Sequence, residues 1–163
     1  MSVLYLLRHA KSSWNDQSLR DFDRPLKKRG REAAERIGER LGEENLQNPL
    51  VICSPAARTR ETAAIVLKHA KLQVEPRFDD RIYEASLREL TQIVSEILDD
   101  QAVAIMIGHN PGFEELLAFL TREHRQMPTC ALAKIRFDDL SWKDVRAGEG
   151  RLEWFIVPKE IDD

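Results

Sequence analysis

The sequence predicts an α/β sandwich with a largely parallel sheet. Three observations carry this. Short continuous apolar runs alternate with segments whose apolar residues recur every three to four positions. Turn chemistry (Ser-Pro, Gly-His-Asn-Pro) sits where an apolar run meets such a segment. A length of 163 residues suits one domain spanning residues 1-163.

The elements follow in order. Val3 to Leu7 is apolar on successive positions and contains β-branched and aromatic residues, the pattern of a strand buried on both faces. Ala10 to Arg24 is polar and reads as a loop. Pro25 opens a helical pattern with Ala33, Ala34, Ile37 and Leu41 on one face and Gly42 near its end. Leu50 to Cys53 is a second short buried strand. Ser54-Pro55 then has the form of an N-cap and first helical position, for a helix to about His69. Leu72 to Glu75 is expected as a third strand. Leu87 to Leu98 is amphipathic, and Ala102 to Ile107 is the clearest buried strand. Asn110 and Pro111 are expected to cap and start the helix after it. Ala131 to Phe137 and Leu152 to Val157 read as late strands that add an antiparallel edge.

Composition narrows the function. Apolar residues at 42% and charged residues at 33% exclude a disordered chain, and no apolar run reaches 18 residues. A formal net charge of −3 argues against nucleic-acid and anionic-membrane partners, which demand a basic excess or stripe. Met1 to Leu7 is closed by Arg8, His9 and Lys11 and lacks the form of a signal peptide, so a cytoplasmic protein is expected. Cys53 and Cys130 have no metal-like spacing and read as buried free thiols.

Three strand ends concentrate candidate chemistry. The first ends in Arg8-His9, the second in Ser54 with Arg58 in the next helix's first turn, and the strongest later strand in His109. Open α/β sheets bind ligands at the carboxyl ends of their strands, and helix N-termini favour anions. Two arginines and two histidines at such junctions describe a pocket for one phosphate, with arginine supplying permanently charged, bidentate donors. His69 and His124 read as surface residues.

These residues resemble a known family. Leu6-Leu7-Arg8-His9-Ala10-Lys11, Ser54-Pro55-Ala56-Ala57-Arg58-Thr59-Arg60-Glu61-Thr62-Ala63 and Gly108-His109-Asn110-Pro111 resemble the motifs of the histidine phosphatase superfamily. The short chain, Asp21-Phe22-Asp23-Arg24-Pro25-Leu26 and Lys28-Arg29-Gly30 are similar to its SixA-type phosphohistidine phosphatase branch. The resemblance implies a phosphoglycerate-mutase-like three-layer sandwich: a mixed, mostly parallel sheet with helices on both faces. It also implies a two-step phosphatase with no metal or other cofactor. On this resemblance His9 is the nucleophile, Arg8, Arg58 and His109 bind the phosphoryl oxygens, and Ser54 and Asn110 support the pocket. Larger relatives carry a carboxylate in a segment like Ile82-Tyr83-Glu84-Ala85, which nominates Glu84 as proton donor. Asp16, Asp21 and Asp23 are rivals, and Asp21 and Asp23 are alternatively partners of Arg24, Lys27 or Lys28.

The short spacings from Arg58 to Tyr83 and from Glu84 to His109 leave little chain to roof the site. An open site admits a side chain on a protein, so a phosphohistidine carrier or phosphotransfer domain is the first expected partner. A small phosphate ester is the second, and a phosphate-binding module without turnover the third. Lys11, Ser12, Ser13 and Trp14 are expected along the approach. A cysteine phosphatase needs C-x5-R, but Cys53 stands four residues before Arg58 and six before Arg60 by intervening count. Asp21-Phe22-Asp23 lacks the apolar strand that an aspartate phosphatase requires before it.

Overall fold

The computed structural model describes residues 1–139 and 141–160. Ten elements form one layered unit: β1 (Ser2–Arg8), α1 (Lys28–Gly42), β2 (Leu50–Cys53), α2 (Ala57–His69), β3 (Arg77–Phe78), α3 (Leu87–Ser95), β4 (Val103–Gly108), α4 (Gly112–Thr121), β5 (Leu132–Phe137) and β6 (Arg151–Ile156). The sheet order is β3-β2-β4-β1-β5-β6. β3, β2, β4 and β1 pair in parallel, while β5 and β6 add an antiparallel edge.

Strand alternation sorts the core into two layers, as a period of two requires. Leu4, Leu6, Ile52, Ala104 and Met106 face α3 and α4, packing with Leu90, Ile93, Val94, Phe113 and Leu116. Tyr5, Leu7, Val51, Cys53, Ile105 and Ile107 face α1 and α2, packing with Ala34, Ile37, Leu41, Ala63 and Val66. Both faces of the central strands are therefore dry, which is why their sequences run apolar without a polar alternate. Among the described residues, no helix is long and apolar enough to cross a membrane.

Several local expectations require correction. The third strand is Arg77–Phe78, pairing Ile52 with Arg77 and Cys53 with Phe78, and not Leu72 to Glu75. Leu72 instead closes the end of α2 through its N–H to the Leu67 carbonyl, and Leu72 and Val74 cover the second core layer. The first helix starts at Lys28 and not at Pro25. Leu26 N–H donates to Glu61 and Lys27 N–H to the Lys11 carbonyl, and these bonds hold residues 25–27 extended. Ala56 and Pro111, not Ser54 and Asn110, stand at the N-caps of α2 and α4. α3 ends at Ser95, three residues short of Leu98; its start carries a capping box between Ser86 and Glu89. His69 is half-buried beside Glu39 at 3.9 Å, while His124 is exposed. Cys53 and Cys130 are buried free thiols, and burial pushes both up to about 12.

Candidate active site

The C-terminal ends of β1, β2 and β4 lie side by side in the sheet, and the residues that follow them meet at one cavity of about 350 Å³. Arg8, His9, Arg58, His109 and Asn110 line it, together with Lys11, Ser12, Trp14, Arg24, Lys27 and Thr129. Five cations and two histidines thus share one small volume in a chain of net charge −3. An arrangement of that sign favours an anionic occupant.

His9 is fixed through its backbone and its ring. Its N–H donates to the Gly108 carbonyl at 3.0 Å, and its carbonyl accepts from Cys130 N–H at 2.9 Å. Its Nδ1 lies 2.7 Å from the Ala10 carbonyl. A carbonyl can only accept, so Nδ1 carries the proton and Nε2 presents a lone pair. Ala10 is held in turn by its N–H to Thr62 Oγ1 at 3.0 Å. Burial leads in holding the His9 imidazole down to about 4, and the Arg58, Arg8 and Arg24 charges add to it. The ring is neutral at pH 7.

His109 sits 5.2 Å from His9 between ring centroids, and burial with the neighbouring His9 and Arg58 holds it down to about 3. Its Nε2 is 2.7 Å from Ser54 Oγ, which also accepts from Ala56 N–H at 3.3 Å. The Ser54 hydroxyl is free to donate to His109 Nε2, the pairing that puts the proton of that ring on Nδ1. Arg8 Nη1 donates to the Met127 carbonyl at 2.8 Å, as does Asn110 Nδ2 at 2.9 Å. Arg8 Nε, Arg58 Nε, His109 Nδ1 and Asn110 Oδ1 are buried without a hydrogen-bond partner, which is the exception among buried polar atoms. Three of these four residues are basic, so the unmet capacity here is largely for an acceptor.

The four carboxylates considered as proton donors fall in different places. Glu84 is exposed, with its backbone in the left-handed region at φ 57°, and lies outside the cavity lining. Asp16 bonds Ser18, and Asp23 bonds Arg20. Asp21 reaches the site. Its Oδ2 accepts from Arg58 Nη2 at 3.1 Å and from the Tyr83 hydroxyl at 2.6 Å, and its Oδ1 accepts from Arg24. Partial burial pulls its carboxyl up, but the Tyr83, Arg24 and Arg58 bonds outweigh that and hold it at about 2.

Sequence reasoning missed Arg24 as a cavity residue. Arg24 is buried, bonds Ser12 Oγ at 2.7 Å and lies 3.4 Å over the ring of Trp14, which is itself 71% exposed. The signal was present only in combination: a basic residue before a proline, in a polar loop whose two ends meet through the Ser12–Leu26 bridge. Tyr83 was also missed as a site residue; its ring stands edge-on to His109 at 5.6 Å.

Comparison with known proteins gives the family and the fold. The sequence pattern of the Histidine phosphatase superfamily (branch 1) matches residues 4–125. An uncharacterized chloroplastic protein of Arabidopsis thaliana is 33% identical over 172 residues, covering 95% of this chain and 77% of that protein. A crystal structure named as a SixA phosphohistidine phosphatase from Agrobacterium tumefaciens superposes with a TM-score of 0.81 at 26% identity, over 96% of this chain and 98% of that one. The protein histidine phosphatase SixA complexed with tungstate shares the fold with a TM-score of 0.85 at 18% identity, over 98% and 99% of the two chains.

Proposed function

The chain belongs to the histidine phosphatase superfamily, and from that membership we propose that it is a metal-independent phosphatase acting through phosphohistidine at His9, with phosphohistidine on proteins as its substrate. The observation that carries the mechanism is the His9 tautomer. Nδ1 is committed to the Ala10 carbonyl, so a neutral ring offers Nε2 inside a cavity of five cations.

In the first step Nε2 of His9 attacks phosphorus. The new N–P bond forms as the bond to the leaving nitrogen or oxygen breaks, and that atom takes a proton, from solvent for a leaving nitrogen and from Glu84 for a leaving oxygen. In the second step water attacks phosphorus: the new O–P bond forms as the N–P bond breaks, its electron pair returns to Nε2, the water's proton passes to solvent, and His9 is left neutral beside free phosphate. Arg8, Arg58 and His109 Nδ1 donate to the equatorial oxygens, where charge builds during transfer. Ser54 keeps His109 in the donating tautomer, and Asn110 ties the turn before α4 to Met127. Arg24 and Lys11 add positive field. These cations neutralise the phosphoryl oxygens, the work that a divalent metal performs in other phosphatases.

One chemical feature favours a protein substrate. A phosphohistidine P–N bond is labile enough to break with weak protonation, which suits a site where the carboxylate bonded to Arg58, Asp21, is held at about 2 and so remains ionised. Glu84, one residue from Tyr83, is the proposed donor when an ester is the substrate.

The test mixes the protein with a carrier loaded chemically with phosphohistidine and, in parallel, an aryl phosphate, beside His9→Ala. Phosphate released from the carrier, absent in the variant and accompanied by an acid-labile label on His9, is the expected result. Release from the ester alone moves the substrate to small molecules. Full activity of His9→Ala removes the mechanism.

A further inference from the structure

A second cavity of about 700 Å³ adjoins the first, and Lys11 and Thr129 line both. The other charged residues of its lining are Arg29, Glu32, Arg36 and Lys159. Among the described residues of its lining, Lys11, Arg29 and Lys159 stand against one acid, Glu32, in a chain whose whole formal charge is −3. The charge has a fixed frame. Gly30 lets the first turn of α1 rest against the Lys11 backbone, since a Cβ there would overlap the Lys11 carbonyl, and Lys27 N–H donates to that same carbonyl at 3.0 Å. The Pro158–Glu160 turn packs on α1 and brings Lys159 to the far wall.

Lys11, Arg29 and Lys159 are exposed on long, mobile stems, and the ion pairs among the described residues do not include them. A buried subsite for a second phosphate would instead hold its cations rigidly, as the first cavity holds Arg8, Arg24 and Arg58. Exposed cations spread along a groove complement acidic side chains on a protein surface, where they act on encounter and orientation. We propose that this groove is the docking surface for an acidic protein substrate, whose carboxylates engage Arg29, Lys159 and Lys11 while its phosphohistidine enters the cavity at His9. The inference rests on the protein-substrate reading given above.

The experiment compares wild type with the Arg29→Glu/Lys159→Glu double variant. The probes are an acidic carrier protein phosphorylated on histidine, an aryl phosphate and a small bisphosphate ester. For the carrier, KM is expected to rise at least tenfold with kcat held, and added salt is expected to raise the wild-type KM but not that of the variant. Aryl phosphate kinetics are expected to stay within twofold. An unchanged carrier KM in the variant overturns the docking surface while leaving the proposed substrate standing. An equal loss on carrier and aryl ester also overturns it, because the charges then serve the active cavity. A KM raised only for the bisphosphate overturns it in favour of a small second anion. A wild type that hydrolyses the aryl ester but never the carrier removes the substrate reading itself, and this inference with it.

Discussion

Arg58 gives both terminal nitrogens to Asp21: Nη1 donates to its carbonyl at 2.8 Å and Nη2 to its Oδ2 at 3.1 Å. The loop between β1 and α1 thus sets the plane of an arginine on α2, across 37 positions of sequence. It also places a negative charge where a phosphate would compete for the same guanidinium. These two effects oppose each other, and they separate in the kinetics.

Asp21→Asn keeps a side-chain acceptor for Arg58 and removes the charge. Inorganic phosphate is expected to inhibit this variant a few-fold more tightly, in line with about 0.2–1 kcal/mol for a partly exposed charge. Its kcat is expected to fall, because Arg58 and Tyr83 lose a charged anchor. Product-inhibition kinetics measure both, and an inhibition constant equal to that of wild type rejects the competition.

Ser54→Ala removes the hydroxyl from His109 Nε2 and leaves that nitrogen buried. The structural cost is on the order of 1–3 kcal/mol for an unsatisfied buried group. If Ser54 sets the His109 tautomer, kcat falls roughly 10–100-fold, the scale of a lost oxyanion donor or less, with KM little changed. Ser54→Thr restores the hydroxyl and recovers part of the rate. A loss of thermal stability with unchanged kcat assigns Ser54 to packing alone.

The pH dependence follows from two depressed histidines. With His9 held at about 4 and His109 at about 3, kcat/KM is expected to stay level from neutral pH to about 5 and to fall as acid approaches those values. Between the unfolded value near 6.5 and about 4, the unfolded chain binds protons that folded His9 refuses, so stability decreases as pH falls through that window. His9→Asn flattens the decline, and thermal unfolding measured from pH 7 to 4 shows it. An identical slope in both proteins contradicts the burial of a neutral His9.

Gly30→Ala is expected to cost about 1–3 kcal/mol, since the new methyl meets main chain and not a yielding side chain. Thermal denaturation gives the cost. The same variant shifts Lys11, so KM is expected to rise with it. An unchanged melting temperature shows that the loop accommodates the methyl.

The parts of the site legible in the sequence are those dictated by the sheet. Arg8, His9, Ser54 and His109 stand at or just past the ends of three neighbouring strands, and the hydrophobic runs that make those strands announce where each ends. Arg58 follows because it is on the second residue of α2. Residues 10–27 were opaque because their positions rest on distant bonds: Leu26 to Glu61, Lys27 to Lys11, and Arg58 to Asp21. No local propensity encodes such pairs, so Asp21 read equally well as a surface ion pair or a proton donor. Helix starts were misplaced for a related reason. Ser54 and Asn110 are good capping residues, but their side chains serve His109 and Met127 instead.

The two backbone bonds of His9, to Gly108 on one side and from Cys130 on the other, carry a kinetic consequence. The proposed nucleophile's main chain has surrendered its conformational entropy at folding, before any substrate arrives. Approach and alignment then fall to the incoming molecule. The activation entropy of turnover therefore reports the freedom lost by the substrate, so a phosphoryl group presented on a rigid scaffold reacts faster than the same group on a floppy one.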